Sequence, residues 1–163
     1  MAKNKEEKTN VMRVLEQKKI AYTPHSYPHE EGVAVDGVTV AQSMGFDPAI
    51  VFKTLVARGA SKQYYVFDVP VAENLDLKKA AKAVGEKSIE MIHQKELLPL
   101  TGYVHGGCSP VGMKKLFPTV FHSSAENLAA MIVSAGKIGY QVELSPRDLA
   151  ALVRAKFADL IAE

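Results

Sequence analysis

Hydrophobic positions along this chain recur with two periods, and the places where one gives way to the other mark its elements. Across 9–19, Val11, Val14 and Leu15 fall at helical spacing while Arg13, Glu16 and Gln17 face outward, which predicts an amphipathic helix. Pro24 and Pro28 confine 21–27 to an edge strand or extended segment. The stretch 30–37 reads as a turn, followed by a short helix to Met44 stopped by Gly45. Residues 50–57 and 64–69 are β-rich runs joined by a hairpin loop over 58–63. Asn74 or Asp76 caps a helix over 77–84 that ends at Gly85. A short strand is expected over 88–92, a short helix over 93–98 stopped by Pro99, and a strand over 103–105. The clearest hairpin is 131–134 with 140–144, turned by 135–139. Ser145, Pro146 and Asp148 then supply an N-cap, a first-turn proline and an acidic residue for a helix that buries Leu149, Leu152 and Val153. Interspersed strands and helices with hairpin-length loops predict an α+β domain on a curved mixed sheet, a single unit over 1–163.

At 163 residues and 47% hydrophobic, the chain is long enough for one substantial core. No apolar run approaches the roughly 20 residues of a membrane span, and the opening residues lack the apolar stretch of a signal peptide, so a cytoplasmic protein is expected. One cysteine, Cys108, excludes an internal disulfide. A net charge of +2 is too small to hold a polyanion by bulk electrostatics, so any nucleic-acid contact falls to local clusters: Lys78, Lys79 and Lys82, the Lys114–Lys115 pair, and Lys137.

Two features stand out chemically. The segment 102–115 holds four glycines, Pro110 and two terminal lysines, a composition that exposes backbone to a ligand. Lys53 sits mid-strand between apolar neighbours, where its ammonium must reach a cleft, a carboxylate or an anion, or snorkel from an edge. His105, three residues before Cys108, raises a cysteine nucleophile, but a lone cysteine beside Ser-Pro is more often a small apolar filler. No second ligand pair supports zinc, and Pro110 after Ser109 excludes a nucleophile elbow. His25, His29, His93 and His122 read as surface or internally satisfied histidines. Tyr27 lies between prolines, where its ring can wall a pocket and its hydroxyl donate a hydrogen bond.

Taken together, Val-Phe-Lys-Thr-Leu at 51–55, Asn-Leu-Asp-Leu-Lys-Lys-Ala-Ala-Lys at 74–82, Gly-Tyr-Val-His-Gly-Gly-Cys-Ser-Pro-Val-Gly at 102–112, and Val-Ser-Ala-Gly-Lys with Glu-Leu-Ser-Pro-Arg-Asp-Leu within 133–149 resemble the YbaK/EbsC family. Its members are free-standing aminoacyl-tRNA deacylases related to the editing domain inserted in bacterial prolyl-tRNA synthetase. The resemblance implies a barrel-like, mostly antiparallel mixed sheet surrounded by helices, with no metal and no cofactor. It implies hydrolysis of cysteine wrongly esterified to tRNA(Pro), the substrate being the acceptor 3′ end of aminoacylated tRNA, and prolyl-tRNA synthetase a partner. Removal of alanine or serine from tRNA, and a non-catalytic tRNA- or synthetase-binding module, are the alternatives. Matched by motif, Lys53, Gly106 and Gly107 take catalytic roles, while Tyr27, Phe52, Thr54, Ser109 and Pro110 contact substrate. The resemblance places Lys53 on a terminal phosphate or the 3′ adenosine and amides near Gly106 and Gly107 on the developing oxyanion. Cys108 departs from the aliphatic residue usual at its position, which argues further against a covalent role.

Overall fold

The computed structural model describes residues 8–163. Helix α1 (Asn10–Gln17) starts where the Thr9 hydroxyl accepts the Met12 N–H, and it buries Val11, Met12 and Leu15. Strand β1 (Tyr22–Ser26) follows, then α2 (Gly37–Met44), capped by Asp36 and closed by Gly45 in the left-handed conformation. The central hairpin is β2 (Phe52–Gly59) with β3 (Tyr64–Pro70). Helix α3 (Leu77–Val84), capped by Asp76, leads to β4 (Ile89–Met91) and α4 (Gln94–Thr101). Beyond the glycine-rich segment come β5 (Thr119–His122), β6 (Met131–Ser134), β7 (Tyr140–Leu144), α5 (Pro146–Val153) and β8 (Lys156–Ala158).

Strands β1, β7 and β6 form an antiparallel sheet of three, and β4, β2, β3, β5 and β8 a mixed sheet of five. The two meet at one parallel bridge, Val51 to Ile132, over which α2 packs Ala41. That bridge lies on the same edge of β2 as the Ala57–Gly59 ladder to β4, because β3 occupies the other edge. Among the described residues, the edge carries between these contacts only the bond from the Ile92 N–H to the Val56 carbonyl, so a gap opens beside the first half of β2. Neither sheet closes on itself; the strands form a mixed α+β architecture rather than a closed barrel.

The main core gathers α1, α5 and the facing strands around Leu15, Phe121, Met131 and Leu149, while Ala80 and Ala81 of α3 cover Phe67, Val69 and Val120 on the opposite face of the larger sheet. Each of these leucine, methionine, valine and phenylalanine side chains contributes roughly 1.5–3 kcal/mol when removed from water.

Three elements differ from expectation. Pro99 does not stop α4, which runs on to Thr101. The proline deletes one N–H from the helix ladder, but the last turn keeps the Gly102 N–H bonded to Leu98 and the Thr101 hydroxyl bonded to the Leu97 carbonyl. Residues 103–105 form no strand, because the Tyr103 hydroxyl donates to the Val111 carbonyl and folds the segment onto itself. Strands β5 and β8 have no counterpart in the sequence reading. Both pair in parallel, β5 with β3 and β8 with β5, so no short turn announces them.

Candidate active site

A cavity of about 360 Å³ opens at the gap along β2. Residues 51–55 line it from both faces of the strand, because past the Val51 bridge no described strand pairs with that edge until β4. The other walls include Tyr27 after β1, the 34–37 segment leading into α2, the glycine-rich loop, and the β6–β7 hairpin.

Lys53 and the glycine-rich loop, 53 positions apart along the chain, thus border one space. Lys53 is half-buried and makes no ion pair among the described residues. Desolvation lowers its pKa, while the charges of Asp36 and Glu73 partly restore it. Asp36 borders the same cavity, held in place because its Oδ2 accepts the Thr39 N–H at 3.1 Å and the Thr39 hydroxyl at 3.2 Å.

The loop reaches the cavity through Gly106, His105 and Cys108. Gly106 has φ +91°, and a Cβ there would lie 2.7 Å from the Ala34 Cβ, so only glycine lets the loop pass the 34–37 segment this closely. Gly107, Ser109 and Pro110, expected in the site, instead form the loop's inner layer, buried and outside the cavity lining. The Gly107 N–H is donated to the Val104 carbonyl at 2.9 Å, and the Ser109 hydroxyl accepts the Val111 N–H at 3.2 Å. Both groups are therefore engaged in shaping the loop. The Gly106 and Cys108 amides, by contrast, donate to no other described residue.

Cys108 lines the cavity but is not poised as a nucleophile. Burial, aided by the nearby Asp68, pushes its thiol up to about 12, so the thiolate is scarce at neutral pH. Tyr27 is 5% exposed, its phenol pKa raised by burial, and its N–H bonds the Gly139 carbonyl at 3.0 Å. Phe52 and Thr54 line the cavity on either side of Lys53. His122 is buried and its Nδ1 accepts the Leu160 N–H, so it is internally satisfied, and it does not line the cavity.

Sequence reading missed Asp36, Ser134 and Gln141. Ser134 and Gln141 are cross-strand partners on β6 and β7, and both are buried. The Ser134 hydroxyl accepts the Gly136 N–H at 3.0 Å, and Gln141 Oε1 has no hydrogen-bond partner among the described residues. They share their face of the hairpin with Ile132 and Glu143, opposite the apolar face of Met131, Val133, Val142 and Leu144, so alternation alone marks them as polar-face positions and does not show that they are buried in a cavity.

Among the described residues no three His, Cys, Asp or Glu side chains gather as a metal site. The cavity offers a cation held in no ion pair among the described residues, main-chain amides and polar side chains, with no activated nucleophile beside a base. Such an arrangement suits holding and polarising an already activated ester.

Residues 32–152 match the aminoacyl-tRNA editing domain family. Among curated proteins, the chain is 45% identical over 161 residues to EbsC of Enterococcus faecalis (strain ATCC 700802 / V583), provisionally named a Cys-tRNA(Pro)/Cys-tRNA(Cys) deacylase, with 98% of each chain covered. Among solved structures, a protein described provisionally as a trans-editing enzyme for prolyl tRNA synthetase superposes with a TM-score of 0.79 at 26% identity, covering 94% of this chain and 95% of that one. Hypothetical protein APE2540 shares the fold with a TM-score of 0.82 at 20% identity, over 93% and 99% of the two chains.

Proposed function

The chain belongs to the aminoacyl-tRNA editing domain family, and from that premise we propose that it is a deacylase clearing mischarged amino acids from tRNA, with Cys-tRNA(Pro) as its substrate. The observation that carries this reading is the shared cavity of the unpaired Lys53 ammonium and the Gly106 backbone.

An aminoacyl ester needs positioning and charge stabilisation more than a strong protein nucleophile. In a cysteinyl ester the substrate's own thiol attacks the carbonyl carbon. The S–C bond forms as the ester C–O bond breaks, and the thiol proton passes to the departing ribose oxygen. Water then opens the thiolactone. Intramolecular attack brings a large effective molarity, provided the enzyme holds the geometry. Lys53 takes the terminal phosphate or 3′ adenosine. With the Gly107 N–H committed to Val104, the oxyanion falls to the Gly106 and Cys108 amides. Tyr27, Phe52 and Thr54 border the acyl group, while Ser109 and Pro110 support it indirectly by fixing the loop. Prolyl-tRNA synthetase is the proposed partner, supported by the description of the structural relative.

Incubation of the purified protein with Cys-tRNA(Pro), Ala-tRNA(Pro) and Ser-tRNA tests the reading. Release of cysteine well above the other two is expected. No release from any substrate, at concentrations where a control editing domain clears its own, would refute it.

A further inference from the structure

Asp68 is the one wholly buried carboxyl group among the described residues, and the thiolactone route leaves it without a task. It lies mid-strand on β3, directly across from Thr54 on β2. Its neighbours Phe67 and Val69 point into the α3 core, so Asp68 projects to the opposite face, toward Cys108. The Thr54 hydroxyl, on the cavity wall, donates to its Oδ1 at 2.5 Å, while Oδ2 has no hydrogen-bond partner among the described residues. A buried carboxyl with half its acceptor capacity unused is costly unless it serves a purpose.

We infer that Asp68 is a positioning residue for the acyl site: its carboxylate takes the Thr54 hydroxyl hydrogen, turning that oxygen's lone pairs to the cavity to accept a hydrogen bond from the α-ammonium of the bound aminoacyl ester. The inference rests on the deacylase reading. A hydroxyl with its own hydrogen engaged elsewhere is an acceptor only, and an anion behind it in a dry interior favours a cation in front. Lys53 repels an ammonium from its own side of the cavity, and the Asp36 carboxylate on that side is exposed and screened by solvent, which leaves the Thr54 side for the amino group. The groups facing Asp68 are Thr54 from β2, Phe121 from β5 and the Cys108 thiol from the loop, none of them charged at neutral pH. Burial leaves the Asp68 carboxyl protonated up to about pH 7 in the empty cavity, so arrival of the ammonium draws out the ionised form and releases a proton.

The test compares two non-hydrolysable probes by calorimetry at pH 6: 3′-cysteinylamino-3′-deoxyadenosine and its analogue lacking the α-amino group. Wild-type protein is expected to prefer the amino-bearing probe at least tenfold. Thr54→Val and Asp68→Leu should each abolish that preference, their combination should add nothing, and Thr54→Ser should keep it. Equal binding of both probes by wild type, or preference retained in folded Asp68→Leu, overturns the inference. Should Asp68→Leu not fold, Asp68→Asn decides: a weakened preference supports the assignment and an unchanged one overturns it. Wild-type protein that neither binds a probe nor clears Cys-tRNA(Pro) would instead defeat the deacylase reading itself.

Discussion

Replacing Asp68 by asparagine removes a titrating group from the interior while keeping its shape and its ability to accept the Thr54 hydroxyl. The wild-type carboxyl is fully buried, and desolvation raises it from 3.8 to about 7, with the Thr54 hydrogen bond opposing. Between those values the native state holds a proton that the unfolded chain has released, so stability falls as pH rises through this window. Each pH unit of difference carries about 1.4 kcal/mol, which brings the full loss to about 4 kcal/mol once pH exceeds 7. The amide of the variant has no such dependence, and other titrating groups cancel in the comparison. The stability advantage of Asp68→Asn should therefore grow by about 3 kcal/mol from pH 5 to pH 8. Urea unfolding followed by far-ultraviolet circular dichroism measures it, a suitable probe for a chain without tryptophan. A difference that stays flat over that range, or shrinks, would show that Asp68 is ionised in the native protein throughout and would refute the desolvation argument.

Three further outcomes are expected. Lys53→Ala removes the contact assigned to the terminal phosphate or 3′ adenosine and should lower kcat/KM for Cys-tRNA(Pro) release about 10²-fold, the usual cost of a misplaced substrate, with the fold intact by circular dichroism; release within threefold of wild type would remove Lys53 from the mechanism. Gly106→Ala must fit a Cβ 2.7 Å from Ala34 at φ +91°, which should cost about 1–3 kcal/mol in urea unfolding and reduce turnover as the loop shifts. Cys108→Ala should retain release within a few-fold, and wild-type Cys108, its thiol raised to about 12, should react with iodoacetamide far more slowly at pH 8 than free cysteine; rapid alkylation with loss of turnover would restore the cysteine nucleophile.

Local chemistry made much of the fold legible. Thr9, Asp36, Asp76 and Ser145 cap helices through their own side chains, and Gly45 and Gly85 end helices in a conformation that glycine adopts without strain. The β6–β7 hairpin was readable because its turn is short. Lys53, too, was visible, since a charge inside an apolar strand is costly and so conspicuous. The parallel strands β5 and β8 were not, because their partners lie far away in sequence.

The amino-acid sequence by itself determined the local punctuation, the glycine-rich loop and the anomalous lysine, all governed by interactions within a few residues of one another. Tertiary structure alone decided which of them share a cavity. It opened the unpaired edge of β2 between two sheets, brought Asp36, Ser134 and Gln141 to that opening, turned Gly107 and Ser109 inward, and placed Asp68 behind Thr54. Burial and cross-strand neighbours depend on chain segments far apart in sequence, and they set both the protonation of a carboxyl and the direction of a hydroxyl.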